Sequence, residues 1–359
     1  MIADITILLV SLLVLTRSSD MLLESAVGIA KYFGLTEFFI GTTLVALGTS
    51  LPELASSIIA TSAGHSTIAI GNILGSNITN ITLILGIASI LAVIKVKEKY
   101  FLNKINYLIA ASLIFIILSL DGAITWVDGI LLTTLFVAYI VKEKKEALKG
   151  EEKKIQRLIQ ELFGKKKTLE ELTEEEKGTL RNIDAKTKKE LRAKGIDLEK
   201  SLKQTKTIYL VKLFGISLFA LAALVASSKF LVSSAVGLAE AMSISEEIIA
   251  LSLIAFGTSI PELAVTFSSL KKGLSSILIG NLIGSNIANL LLVGGISAMI
   301  GPLVVTALDW WFTIPFMIFV TLMFKNYINT KWMSKVFEGV VLLFFYAIFL
   351  LTLVLTTGI

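Results

Sequence analysis

Two segments of this sequence repeat at one constant spacing, and each copy lies within a long apolar run. The segment A-L-G-T-S-L-P-E at 46–53 returns as A-F-G-T-S-I-P-E at 255–262, displaced by 255 − 46 = 209 positions. The segment G-N-I-L-G-S-N-I-T-N at 71–80 returns as G-N-L-I-G-S-N-I-A-N at 280–289, and 280 − 71 is also 209. A shared displacement indicates a chain built from two related halves.

The apolar runs indicate an integral membrane protein. The mean hydropathy is +0.82, and charged residues make up 17% of the chain, compared with about 25% in a soluble domain. About 20 helical residues cross the ~30 Å hydrocarbon core of a bilayer. An all-α protein in a lipid bilayer is therefore predicted. Its roughly ten helices lie near 3–30, 36–62, 68–93, 105–121, 124–142, 207–238, 245–271, 275–300, 303–323 and 336–357.

Basic residues gather in alternate connections between these helices, and such connections face the cytoplasm by the positive-inside rule. The intervening connections carry acids and almost no basic residues, so they and both termini are predicted to lie outside. With five helices in each half, the second half enters the bilayer from the opposite side. Two inverted five-helix repeats are therefore expected, an arrangement typical of transporters with a midplane substrate site. The lysines used here are Lys31, Lys95, Lys97, Lys99, Lys104, Lys142, Lys271, Lys272, Lys325, Lys331 and Lys335.

A charged segment separates the two halves. Residues 1–142 form the first predicted repeat and 207–359 the second, whereas 143–206 is dense in glutamate and lysine. This middle segment is predicted to be a cytoplasmic insert. It contains two Thr-x-x-Glu capping boxes and apolar residues at helical spacing, which predict short amphipathic helices. A solvated linker and a regulatory docking module are both open interpretations of the insert.

Missing residue types exclude several function classes. The chain has no cysteine and a single histidine, which excludes disulfides, thiolate metal centres and histidine-rich zinc or iron sites. An intramembrane hydrolase would need a nucleophile, an aspartyl-protease motif or a metal triad beside its acids, and none accompanies them. We therefore expect neither enzymatic activity nor a cofactor. The net charge of +5 comes mostly from loop lysines, which indicate membrane orientation and not nucleic-acid binding.

Glycine and proline flank two hydroxyl residues in the middle of helices 2 and 7, and this pattern predicts an interruption of each helix. Proline removes a backbone donor and crowds the preceding turn, so carbonyl groups lose their partners at membrane depth. Such backbone is tolerated only where it is buried in protein or lines a cavity. A buried cation would satisfy these carbonyls. The adjacent hydroxyls belong to Thr49, Ser50, Thr258 and Ser259.

Glu53 and Glu262 directly follow the two prolines. An ionised carboxylate at mid-bilayer costs several kcal/mol, and no basic residue is placed to pair with either acid, so each needs a proton or a cation. Helices 3 and 8 add serine and asparagine four residues apart, which places each pair on one helix face. These residues are Ser76, Asn80, Ser285 and Asn289. Ligands that are all oxygen suit hard cations such as Ca²⁺ or Na⁺.

The motifs G-T-S-[L/I]-P-E and G-N-x-x-G-S-N resemble the α-repeats of the cation/Ca²⁺ exchanger superfamily, on its Na⁺/Ca²⁺ exchanger branch of prokaryotic type. The resemblance covers the membrane part and excludes 143–206. It implies a cell-membrane antiporter that exchanges Na⁺ for Ca²⁺ by alternating access, with helices 1 and 6 as the sliding pair. It also implies that Glu53 and Glu262 are the central Ca²⁺ ligands. Thr49, Ser50, Thr258 and Ser259 would line the ion sites, and Ala46 and Ala255 would offer their backbone carbonyls. Ser76 and Ser285 would complete the outer Na⁺ sites, and Asn80 and Asn289 would lie between the acids.

One position departs from the family pattern, since many relatives carry an aspartate where this chain has Asn289. The core then holds two acids and not three, which leaves the coupling ratio and any potassium dependence open. An H⁺/Ca²⁺ antiporter that protonates the same glutamates is the alternative function. A cation channel would instead pass ions in proportion to voltage alone. A monomer is expected to suffice for transport.

Overall fold

The computed structural model describes residues 2–32, 45–92, 94, 98–163, 207–271, 275–329 and 336–356, which form ten helical segments and one β-ribbon. The first five segments are α1 (Ile2–Tyr32), α2 (Val45–Thr49 and Leu51–Ser62), α3 (Ser66–Leu91), α4 (Glu98–Leu118) and α5 (Trp126–Phe163). The other five are α6 (Thr207–Met242), α7 (Glu246–Lys271), α8 (Ser275–Ala288, Asn289–Val293 and Gly294–Ile300), α9 (Asp309–Thr313 and Ile314–Asn329) and α10 (Val336–Thr356).

Six helices in the described part of the chain are long and apolar enough to cross a membrane, and α4 adds the shorter apolar stretch Leu102–Leu118. The outward faces of α1 and α6 are apolar as well. Leu13 of α1 is 66% exposed, and Leu218 of α6 is 72% exposed. A band of large exposed apolar side chains is expected where lipid tails surround a helix. The outer surface therefore fits a bilayer.

The duplication of the sequence extends to the irregular turns of the helices. α2 is interrupted at Ser50, with φ −85° and ψ 5°, and α7 at Ser259, with φ −83° and ψ 7°. The predicted interruptions of helices 2 and 7 are thus confirmed. α3 and α8 each contain a five-residue π-helical turn that begins on an asparagine, Asn80 or Asn289. Such turns are frequent at functional sites, because they shift side chains out of the regular helical register.

α3 and α8 form the centre of the bundle. The buried share of the membrane-spanning window is 83% in α3 and 89% in α8, compared with 33% in α1 and 28% in α6. Glycine permits α3 to lie directly on α7 of the other half. A Cβ atom on Gly75 would lie 2.7 Å from the carbonyl oxygen of Leu251, and one on Gly71 would lie 2.7 Å from the Cβ of Ala250. The two halves therefore meet through backbone contact at the core.

Four alternate connections meet at one end of the bundle. Ala123–Ile124, between α4 and α5, pairs antiparallel with Leu303–Val304, between α8 and α9. Thr306, next to this ribbon, donates to Glu247 near the start of α7 at 2.6 Å. Nδ1 of His65, between α2 and α3, lies 2.9 Å from Oε2 of the adjacent Glu246. Because of these contacts, the four connections lie on one side of the bundle. They are also the connections with few basic residues.

α5 continues through the predicted start of the insert. It runs without interruption from Trp126 to Phe163, so the predicted boundary between 142 and 143 lies inside a helix. At that point Glu143 and Lys104 of α4 form a buried ion pair, with Oε2 and Nζ 2.7 Å apart. The pair joins α5 to α4. Residues 164–206, with both capping boxes, lie outside the described residues, as do Lys95, Lys97, Lys272, Lys331 and Lys335 of the charge-based topology.

Candidate cation-binding site

The interrupted turn of α2 contacts the central helix of the opposite half. Thr49 donates its hydroxyl hydrogen to Oδ1 of Asn281 in α8 at 3.3 Å. The hydroxyl oxygens of Ser50 and Ser285 lie 2.8 Å apart. All four residues are buried. The two predicted hydroxyls of the first half thus lie against α8, Thr49 beside Asn281 and Ser50 beside the predicted Ser285.

The interrupted turn of α7 makes the reciprocal contact. Thr258 donates to Oδ1 of Asn72 in α3 at 3.0 Å, and its hydroxyl lies 3.4 Å from that of Ser76. Because each interrupted turn rests on the central helix of the other half, the polar residues form one site between the two repeats. That is the position expected of a substrate site in an inverted-repeat transporter.

The carbonyl groups near the prolines accept bonds from hydroxyls. Pro52 has no N–H for the carbonyl of Gly48, and the Ser19 hydroxyl of α1 donates to that oxygen at 2.8 Å. The carbonyls of Ala46 and Ala255, which were predicted as ligands, accept hydroxyls of their own turns at 3.1 to 3.4 Å. A hydroxyl hydrogen can rotate to another acceptor. Rotation of these hydroxyls away from the two carbonyl oxygens would leave those oxygens available to a cation.

Glu53 and Glu262 are fully buried, and each carboxylate is satisfied on one oxygen. Ser259 donates to Oε1 of Glu53 at 3.3 Å, and Ser285 donates to Oε1 of Glu262 at 2.5 Å. Oε2 of each acid has no hydrogen-bond partner among the described residues. A buried carboxylate oxygen without a partner is costly, because desolvation is not repaid by any bond. These two oxygens are therefore positions for a cation or a proton.

Asn80 and Asn289 show the same pattern. Both are completely buried, and Oδ1 of each lacks a partner within the described part of the chain. The unpartnered oxygens of the site therefore occur in equivalent pairs, one carboxylate and one amide in each half. Groups of three or more acidic, histidine or cysteine residues suited to a metal are absent from the described residues. A cation in this pocket would meet two acids and otherwise neutral oxygens.

Four further asparagines belong to the site: Asn72 and Asn281, which lie one turn before the predicted serines on the same helix face, and Asn77 and Asn286, which the sequence did not single out. Asn80 donates through Nδ2 to Oδ1 of Asn286 at 2.8 Å, and Asn289 donates to Oδ1 of Asn77 at 3.3 Å. All four lie within the repeated G-N-x-x-G-S-N motifs. The constant displacement of these motifs was the signal that could have identified them.

The chain is similar to sodium/calcium exchangers over most of its length. The family model described as sodium/calcium exchanger protein matches residues 4–142 and 212–355. Sodium/calcium exchanger MaX1 of Methanosarcina acetivorans is 36% identical over 97% of each chain. Inner membrane protein YrbG of Escherichia coli is 30% identical over 84% of this chain and 81% of its own.

A solved structure extends this similarity to the fold. The sodium-calcium exchanger NCX_Mj, soaked with Na⁺ and Sr²⁺, aligns over 97% of each chain with a TM-score of 0.59 and 25% identity. NCX_Mj is a ten-helix inverted-repeat transporter. The predicted fold class, an all-α membrane protein of about ten helices in two inverted five-helix repeats, is therefore confirmed.

Proposed function

This chain belongs to the sodium/calcium exchanger family, and we propose that it is a Na⁺/Ca²⁺ antiporter in which Glu53 and Glu262 hold the Ca²⁺. The family predicted from the two motifs is thereby confirmed, and with it a multi-pass membrane protein that transports ions. The observation that carries the ligand assignment is the set of unpartnered, fully buried oxygens on these two acids and on Asn80 and Asn289.

Charge balance supports competition between the two ions in this pocket. With both glutamates ionised the site carries two negative charges, which one Ca²⁺ or two Na⁺ neutralise. An empty pocket leaves bare carboxylates in a dry barrier, at a cost of several kcal/mol. A loaded pocket therefore crosses the barrier more easily than an empty one, so exchange is favoured over leak. A third Na⁺ would make the exchange electrogenic.

The other ligands in this proposal are neutral oxygens. Ca²⁺ takes about six to eight oxygen ligands, more than two carboxylates supply, and hydroxyl, amide and carbonyl oxygens complete such shells. Burial of the hydroxyls beside the acids supports this assignment. The proposed neutral ligands are Thr49, Ser50, Thr258, Ser259, Ser76, Ser285, Asn80, Asn289 and the carbonyls of Ala46 and Ala255.

Access to the pocket is assigned to α1 together with α6, which packs along it. α1 crosses both interrupted turns, with Leu23 against Gly48 and Leu12 against Gly257. The two leucines are eleven positions apart, or about 16 Å along a helix. Because one helix covers both turns, sliding of α1 and α6 would uncover one side of the pocket as it covers the other.

The orientation of the chain follows the charge distribution. We assign the end with the β-ribbon to the outside, both termini with it, and 143–206 to the cytoplasm. The chain has no cysteine, so single cysteines can report sidedness in intact cells. Ala63→Cys, at an exposed position, should react with a membrane-impermeant maleimide, whereas Lys145→Cys should react only after permeabilisation. The opposite labelling pattern would invert the topology.

Transport in proteoliposomes tests the ion coupling. Vesicles loaded with Na⁺ and diluted into Na⁺-free buffer should take up ⁴⁵Ca²⁺, with saturation and without dependence on an imposed voltage alone. A pH gradient in the absence of Na⁺ should drive no uptake. Uptake under the pH gradient alone would establish the H⁺/Ca²⁺ antiporter instead, and unsaturable uptake that follows voltage would establish a channel.

A further inference from the structure

The two ends of an amide group differ in chemistry, whereas both ends of a carboxylate are oxygens. Asparagine has one oxygen that accepts and one NH₂ group that donates, so only one of its two orientations offers an oxygen to a cation. Asn80 and Asn289 hold equivalent positions, each at the start of the π-helical turn of α3 or α8. A pocket that uses them for a cation therefore has to control which end of each amide points inward.

The orientation of Asn80 can be traced to a backbone carbonyl. Nδ2 of Asn286 donates at 3.3 Å to the main-chain oxygen of Asn77, a group that only accepts. Oδ1 of Asn286 is then left to accept from Nδ2 of Asn80 at 2.8 Å. With its NH₂ group engaged in this way, Asn80 keeps Oδ1 without a partner among the described residues. The chain of bonds thus leaves an oxygen, and not a nitrogen, free at Asn80.

Asn289 is held by the reciprocal residue with a weaker anchor. Its Nδ2 donates to Oδ1 of Asn77 at 3.3 Å, while the NH₂ group of Asn77 lies 3.8 Å from the sulfur of Met317. A thioether is a weak acceptor, so it orients Asn77 less firmly than a carbonyl orients Asn286. Oδ1 of Asn289 is likewise unpartnered within the described residues.

We infer that Asn77 and Asn286 are positioning residues that keep the amide oxygens of Asn80 and Asn289 directed at the transported cation. The inference rests on the proposed function, since it presupposes that Ca²⁺ occupies this pocket. All four asparagines are at most 1% exposed, so water is not available to replace these bonds. The described hydrogen bonds among these four asparagines all join α3 to α8, so the same contacts connect the two halves.

A double-mutant cycle on ⁴⁵Ca²⁺ affinity tests this role. Asn286→Leu removes the acceptor for Asn80 and should weaken Ca²⁺ binding about tenfold in the wild-type background. In an Asn80→Ala background the same substitution should change the affinity by less than about twofold, because no amide remains to be oriented. In an Asn80→Asp background its effect should also be small, since a carboxylate offers an oxygen in either orientation.

Asn77→Leu tested against Asn289→Ala forms the second cycle, with a smaller loss expected, about threefold, because of its weaker anchor. Thr82→Val is the matched control. It removes another buried hydrogen-bonding group of α3, whose hydroxyl donates to Ile78 of the same helix, and should leave Ca²⁺ affinity unchanged. If Asn286→Leu does not fold, Asn286→Ser replaces it with the same expectation.

Two failures are distinguishable in this design. A full tenfold loss from the Asn286 substitution in all three backgrounds would overturn the positioning role, because it would then act independently of Asn80. Failure of the proposed function would show in one of two ways. The parent protein would lack Na⁺-displaceable ⁴⁵Ca²⁺ binding, or that binding would be unchanged by Glu53→Gln. Coupled losses together with wild-type binding support the positioning role.

Discussion

The two halves of the pocket share their residues but only some of their hydrogen bonds. Glu262 accepts a 2.5 Å bond from Ser285, which belongs to the same half, whereas Glu53 accepts a 3.3 Å bond from Ser259 of the other half. The shorter bond holds Glu262 to its own half, whereas the longer bond joins Glu53 to the opposite half. Duplicated acids therefore differ in how firmly the protein holds them.

The interrupted turns differ in a related way. Ser19 of α1 donates to the carbonyl of Gly48 in α2, whereas the equivalent Ser228 of α6 donates to Leu224 of its own helix, both at 2.8 Å. Only the first of these two bonds joins the proposed sliding pair to an interrupted turn. Among the described residues, the first half of the site is thus tied to α1 by a hydrogen bond that has no equivalent between α6 and the second half.

Removal of either acid is expected to have the largest effect, and the loss of transport should be similar for the two halves. Glu53→Gln and Glu262→Gln should each reduce Na⁺-driven ⁴⁵Ca²⁺ uptake at least about a hundredfold, since losing one charge of a buried ionic site costs about 3 kcal/mol. Glu240→Gln, an exposed acid at the end of α6, is the matched control and should retain full uptake. Undiminished exchange in either pocket variant would remove that glutamate from the site.

The serines that bond the two acids sharpen the comparison. Ser285→Ala removes the short bond to Glu262 and should lower apparent Ca²⁺ affinity about tenfold, whereas Ser259→Ala removes the longer bond to Glu53 and should lower it about threefold. Both affinities can be measured from the Ca²⁺ dependence of initial uptake. Equal losses, or a larger loss from Ser259→Ala, would contradict the unequal support of the two acids.

Asn289→Asp tests the position where the second half departs from the family pattern. A third acid adds a negative charge to the pocket, so the half-maximal Na⁺ concentration for ⁴⁵Ca²⁺ exchange should shift about threefold while Ca²⁺ binding is retained. Asn80→Asp is the equivalent change in the first half. Na⁺ titrations that superimpose on the wild type would exclude a role for position 289 in coupling.

The smallest expected effect concerns the contact between α1 and α2. Ser19→Ala removes a buried bond between helices worth about 1 kcal/mol and should lower the unfolding midpoint in detergent by about 2 °C. Ser228→Ala removes a bond within one helix and should shift the midpoint less. A larger shift for the Ser228 substitution would reverse the assigned difference between the halves.

Local features of the sequence were sufficient for much of the fold. Proline and glycine beside hydroxyl residues predicted the interruptions at Ser50 and Ser259, because their effect on the helix ladder is local. The two-residue ribbon strands were not predicted, since strands so short have no periodicity. The continuation of α5 to Phe163 was also missed, because a change from apolar to charged composition does not end a helix.

The sequence by itself determined that oxygen-bearing side chains are buried in pairs within a membrane, because duplication and the cost of burying an acid are properties of the residues. The tertiary structure decided which partner each oxygen has. Asn77 and Asn286 occur in the same motif as Asn80 and Asn289, yet they orient those amides only because α3 and α8 bring the two halves within hydrogen-bond distance. Hydrogen bonds depend steeply on distance and direction, so identical motifs in the two halves acquired unequal contacts.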